Sequence, residues 1–505
     1  MLRACSIVLC STMLVACSSD ANPEVDEELG SEVPETAGDY QGFPDGFDYM
    51  VDPKALEAAV ISADRAFVRR HGWNLWAGIM QPGRETGWPV WQTWPNTTAA
   101  FAGGVPPEQG CDNDSVPSSN LRSVRQHGRA NVIDDNLALP NYILPEVVRE
   151  EFPSAIFTGS NGACSVIDGR TFQNNGDIMI VTESLSIEGY DWIRGKQGGE
   201  NSKLYEQETL ENLHQAMPVS KVNNLDAPQR YIVTKHMYWP VLSDRLGVLP
   251  VWNGNFGPEY AGYAGYERWD TMVAIDPTGS QVGETVPVEY LRNDVDYSKM
   301  PADQRPSKPI VGMAEVVSLD QFYFHKVTDD DWSSFNDADR AILNASSQWA
   351  YDDGFGPGDY LVTIAMHINT KEVPGWGLQS AYWSDHPDEG ADSSDRPTLT
   401  QAEGPWAHYK LVDSYGIPDQ PQAPELPVAM NPYIELVIHP VATNCQTCHS
   451  RAGWPHGNGP GQSSYQPADG GACRSLLANL NPSSPCLKGI FLTDMQWIIT
   501  DRAIE

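Results

Sequence analysis

The stretch from about residue 175 to residue 430 constrains the fold most. It alternates short runs of β-branched and aromatic residues with clusters of Gly, Pro, Asn and Asp, the pattern of strands separated by turns. The expected strands are Asp177–Val181, Tyr231–Tyr238, Val248–Trp252, Thr271–Ile275, Gln321–Lys326, Tyr360–Asn369 and Leu378–Trp383. One aspartate-capped helix, over about 335–349, interrupts them. Another helix is expected from Asp52-Pro53, a capping acid and a proline at the first helical position, towards Arg69-Arg70-His71 and Gly72. With 41% hydrophobic residues and 16 tryptophans the chain has enough apolar surface for a substantial core. These signals predict an α+β protein: a large β-rich, sandwich-like domain with added helices over 49–428, followed by a smaller, mainly helical segment over 429–505.

The first residues point to export. Arg3 precedes an apolar stretch, Ile7 to Val15, that ends in Leu14-Val15-Ala16-Cys17. Such a run is too short to span a bilayer and reads as a signal peptide, residues 1–16. It resembles the lipobox of bacterial lipoproteins, which implies that Cys17 becomes the lipidated first residue after cleavage. The Ser18-Ser19 that follows implies, by the same analogy, the outer membrane, facing the periplasm or the cell surface. Residues 17–48, rich in Asp, Glu, Gly, Pro and Ser, read as a flexible acidic tether.

Of nine cysteines, Cys5 and Cys10 leave with the signal and Cys17 takes lipid, so six are left in the body. Cys445-Gln446-Thr447-Cys448-His449 is the attachment pattern for haem c. Thiols at i and i+3 lie one helical turn apart and suit thioether bonds to the two vinyl groups of one porphyrin. The next residue, His449, is then placed as the proximal iron ligand. A zinc site would need two further ligands at close spacing, and the sequence offers no second Cys-x-x-Cys or close His pair. The remaining four cysteines suit disulfides in an oxidising compartment. Chain order suggests Cys111–Cys164 and Cys473–Cys486, although four cysteines allow three pairings.

For the sixth iron ligand, Met495 is the one methionine downstream of His449, and methionine ligation would raise the reduction potential. Met495 lies in Leu492–Ile499, which reads as the start of a C-terminal helix capped by Thr493 or Asp494. A core-packing methionine is the competing reading. His456 and His439 are the nearby histidine alternatives. His236 and His367 fall in expected strands and read as buried, hydrogen-bonded histidines.

The formal net charge of -35 argues against nucleic acid as a partner and against charge-driven binding to anionic lipid. It suits a solubilising surface or a basic redox partner protein. No dinucleotide fingerprint, P-loop or nucleophile elbow is present. The aspartates at 329–331 and 352–353 read as solvated turns.

Several segments resemble a bacterial lipoprotein family of single-haem c-type cytochromes. They are Trp73–Gly78, Pro89–Trp94, Tyr238-Trp239-Pro240 with Leu249–Trp252, Met366–Pro374 and Asn444–Ser450. The resemblance implies one covalent haem c, a cytochrome c-like C-terminal segment and a large accessory domain. It implies no activity, and only Cys445, Cys448 and His449 carry over as site residues. The expectation is an exported, lipid-anchored one-electron carrier. Two alternatives are a haem enzyme of oxygenase or peroxidase type with an open iron site, and a surface ligand-binding lipoprotein with structural or sensory haem.

Overall fold

The structure is a computed structural model. It describes residues 43, 46–47, 51–82, 89–101, 141–142, 146–152, 157–158, 164–165, 180–195, 203–216, 223–254, 269, 271–290, 295–296, 302, 309–335, 337–390, 392–416, 428–434, 444–454, 487 and 489–502. Its longer strands, in chain order, are β1 (Ile180–Leu185), β2 (Ile232–Val241), β3 (Gly247–Val251), β4 (Thr271–Asp276), β5 (Thr285–Tyr290), β6 (Ile310–Ser318), β7 (Phe324–Lys326), β8 (Tyr360–Thr370), β9 (Gly375–Trp383) and β10 (Tyr409–Gly416). The first sheet runs β10–β9–β8–β2–β1, with β7 alongside the start of β8, and every pair in it is antiparallel. The second runs β3–β4–β6–β5 and is antiparallel except for β4 with β6. The protein is therefore α+β and rich in strand.

Register explains two sequence details. Pro240 has no N–H to give, yet sits inside β2; β1 pairs with β2 only as far as Tyr238, so no partner on that side needs the missing donor. Gly375 opens β9 opposite Gly416 at the end of β10, and a Cβ there would overlap the Gly416 carbonyl. The strands β5, β6 and β10 lie outside the expected set. Pro287 and Gly312 interrupt the β-branched runs of β5 and β6, and β6 exposes Val311 and Met313, so its alternation does not read as apolar-in, polar-out.

The N-terminal helix differs from the single run expected. It is two helices, α1 (Pro53–Ile61) and α2 (Arg65–Ile79), separated at Ser62-Ala63-Asp64. Ala63 adopts φ 55°, and the Asp64 side chain accepts from Phe67 N at 3.2 Å, capping the new helix. Gly72 does not end α2; it lies inside the helix, where the side-chain ends of Gln379 and Leu411 pack against it and would have to shift to admit a Cβ. Trp73 and Trp76 are fully buried in α2, and Trp76 Nε1 donates to Trp406 O at 3.2 Å. The α3 helix (Asp337–Tyr351) joins both sheets. Trp349 packs on Trp239 of β2 and Tyr290 of β5, with ring centroids 5.4 and 5.8 Å apart. Trp73, Trp76, Trp239 and Trp349 are thus part of the core.

His236 of β2 is buried as expected but is not hydrogen-bonded. It stacks on Trp91, with centroids 3.4 Å apart, and neither ring nitrogen has a hydrogen-bond partner among the described residues. Burial therefore pushes its pKa well below the usual histidine value. The unfolded chain binds this proton below about pH 6.5 and the folded chain does not, so stability is lost as pH falls from there, by up to about 1.4 kcal/mol per unit. His236→Leu is expected to flatten the fall in urea midpoint between about pH 6.5 and pH 5. Equal slopes for the two proteins would contradict this assignment.

Candidate functional site

Residues Ala37–Glu505 form one compact unit, and none of Met1–Thr36 is among the described residues. The C-terminal segment is tied into the body by short strands. Gly453–Trp454 pairs antiparallel with Phe491–Leu492, which pairs in parallel with Asn223–Asn224. Thr493 N also donates to Ala452 O at 3.0 Å. These links bring two stretches of chain to one place: the turn after Phe491–Leu492 and the helix α4 (Cys445–His449).

The five residues of α4 are the whole Cys-x-x-Cys-His pattern, so the positions of Cys445 and Cys448 are separated by one helical turn. Asn444 starts the helix: its Oδ1 accepts from Gln446 N at 2.9 Å and from Ser414 Oγ at 3.1 Å. Gln446 Nε2 donates to Trp376 O and Ser414 O, both at 3.3 Å, which fixes α4 to β9 and β10. Cys445 is half-buried, and its Sγ donates to Ala429 O at 3.3 Å. A five-residue helix has little stability of its own, so these side-chain bonds hold it.

His449 Nδ1 lies 2.8 Å from Met495 O. A carbonyl oxygen only accepts, so Nδ1 donates a ring proton here. Metal-bound histidines are commonly oriented in this way, by a backbone carbonyl on the nitrogen that does not ligate.

The carbonyl is aimed by an uncommon turn. Asp494 and Met495 both have positive φ, 53° and 64°, a conformation that costs about 1–3 kcal/mol for each non-glycine residue. Asp494 holds it. Its buried carboxylate accepts from Lys371 Nζ at 2.6 and 2.8 Å, Ala227 N at 2.8 Å and Asn224 Nδ2 at 3.2 Å. Its own N donates to Asn224 Oδ1 at 2.9 Å. Thr493 Oγ1 closes the turn on Gln496 O at 2.8 Å.

One expectation changes here. Asp494 is not a helix cap: α5 (Trp497–Arg502) begins two residues past Met495, and the carboxylate is spent on Lys371. Met495 stands beside His449 through its backbone, its carbonyl oxygen 2.8 Å from Nδ1. Met495→Ala is expected to leave the spectrum of the haem-loaded protein unchanged, with no methionine–iron charge-transfer band in either form. Loss of such a band on substitution would show that its sulfur is a ligand.

Sequence reading missed Lys371, Asn224, Asn444, Gln446 and Ser414. It also missed His71, whose Nε2 lies 2.7 Å from Glu372 Oε1 in a fully buried pair. Thr370 Oγ1 donates to the other oxygen of Glu372 at 2.8 Å. The available signal was Lys371-Glu372, two charges at the end of an otherwise buried strand. His367 is half-buried in β8, opposite Lys235 and Ser380. The aspartates at 329–331 form the first turn of a short helix, with a capping box between Thr328 and Asp331. Cys164 lies in a two-residue strand paired with Phe157–Thr158. Cys17, Cys111, Cys473, Cys486, His439 and His456 lie outside the described residues, and so do both expected disulfides.

Among the described residues, no group of three or more His, Cys, Asp or Glu is placed to hold a metal ion, and no helix is long and apolar enough to cross a membrane. Comparison of the chain with protein families, curated proteins and solved structures finds no match.

Proposed function

We propose that this chain carries one haem c on Cys445 and Cys448, with His449 as proximal ligand, and works as an exported, lipid-anchored one-electron carrier. The observation that carries the reading is the His449 Nδ1 to Met495 O hydrogen bond, the backbone-carbonyl contact that orients a ligating histidine. The helical backbone of Cys445–His449 supports it, since both cysteine positions and the histidine follow one another along a single turn. The residues present fit the group. Haem, when bound, supplies one-electron exchange at its iron.

The chain's own residues do the rest. Asn444 and Gln446 fix the attachment turn on β9 and β10. Met495 O holds the Nδ1 proton and the ring orientation. The acidic surface steers a basic redox partner, with docking that weakens as salt rises. In this reading 429–505 is a cytochrome c-like segment, 49–428 a sandwich-like accessory body, and Cys17 the lipid anchor on the outer membrane.

The position of Met495 favours a second reading, a haem enzyme of oxygenase or peroxidase type, because the one methionine downstream of His449 stands on the proximal side. Absorption spectra with and without carbon monoxide separate the two. A carrier with both axial positions filled gives no spectral change on adding the gas; rapid binding favours the enzyme.

A further inference from the structure

We infer that Lys371 and Asp494 are a positioning pair for His449, a role that rests on the haem reading above. Both side chains are removed from water, at 8% and 1% exposure. Burying two charges carries a desolvation cost of several kcal/mol per ion, and well-packed apolar residues would stabilise such a place as well or better. Stability alone therefore does not account for the pair. Its location does. Asp494 joins the end of β8, through Lys371, to the chain just before β2, through Asn224 and Ala227. That frame holds two successive residues at positive φ and turns the Met495 carbonyl onto His449 Nδ1. A carbonyl held there draws on the Nδ1 proton and raises electron density at Nε2, which favours the oxidised iron. The pair thus keeps the potential lower than an unsupported histidine would.

Positioning and simple charge make opposite predictions for one of two substitutions. Asp494→Asn removes a negative charge and loosens the turn, so both effects raise the potential. Lys371→Met removes a positive charge, which by charge alone lowers the potential, whereas loosening the turn raises it. The test uses the full haem-loaded chain. Potentials are measured by spectroelectrochemical titration, and exchange of the His449 ring proton is followed by NMR in the reduced, diamagnetic form. The expected result is an upward shift and faster exchange in both variants, with the double variant shifting no further than the larger single one. Shifts of opposite sign would overturn the inference in favour of charge alone. Unchanged potential and exchange with only lowered stability would overturn it in favour of a structural role. Should Lys371→Met fail to fold, the unsubstituted protein still decides: an Nδ1 proton that exchanges as fast as in an exposed imidazole overturns the inference. A parent protein without covalent haem is a separate outcome and sinks the haem reading itself.

Discussion

The Cys445→Ala/Cys448→Ala variant is expected to be exported and folded, and to lose covalent haem completely. Both thioethers depend on these sulfurs, and no other cysteine shares the spacing to His449. The fold should survive because α4 is held by groups other than the thiols: the Asn444 cap, the two bonds from Gln446, and Cys445 N on Ala429 O at 3.2 Å. Haem staining of denaturing gels reads the attachment, and far-ultraviolet circular dichroism reads the fold. Each single alanine variant should keep one thioether at most and lose part of the stain. Full haem retention in the double variant would show that the group is held elsewhere.

The second large effect is on stability. Lys371→Met should cost about 3–5 kcal/mol, because it leaves the Asp494 carboxylate buried without its countercharge. Asp226 also lies 3.7 Å from Lys371 Nζ, but it is exposed, so water compensates its loss. Adding Asp494→Asn to Lys371→Met should recover part of the loss, since the uncompensated charge is gone while the amide oxygen still accepts from Ala227 N. The signature is a double variant more stable than the sum of the two single changes, an interaction energy of about 0.5–3 kcal/mol in a denaturation cycle. Strict additivity would mean that the two residues do not act as a unit.

Legibility in the sequence followed the range of the forces involved. The strands rich in β-branched and aromatic residues, such as Tyr360–Thr370 and Thr271–Asp276, were readable almost to the residue, since local composition and burial agree there. Where exposed apolar residues blurred the alternation, as Val311 and Met313 do in β6, the strand was not readable. The division of the first helix turned on Ala63 at positive φ, which composition does not announce. The Cys-x-x-Cys-His pattern was fully legible because it is packed into five neighbouring residues. What supports it was not: Met495 meets His449 across 46 positions and Asp494 meets Lys371 across 123. Asp494 beside a C-terminal helix looked like a cap because capping is the local use of an aspartate, and a tertiary partner overrode it.

The central claim, covalent haem c at Cys445 and Cys448, is tested most directly on the unsubstituted chain produced together with the haem-attachment machinery. The denatured protein, washed with acidified acetone to strip loosely held haem, is assayed for the pyridine haemochrome spectrum and for intact mass. One haem per chain, retained through the wash, with the α-band of a doubly thioether-linked haem and a mass raised by one haem beyond the processed polypeptide, is the predicted result. A colourless protein with the mass of the polypeptide alone would contradict it.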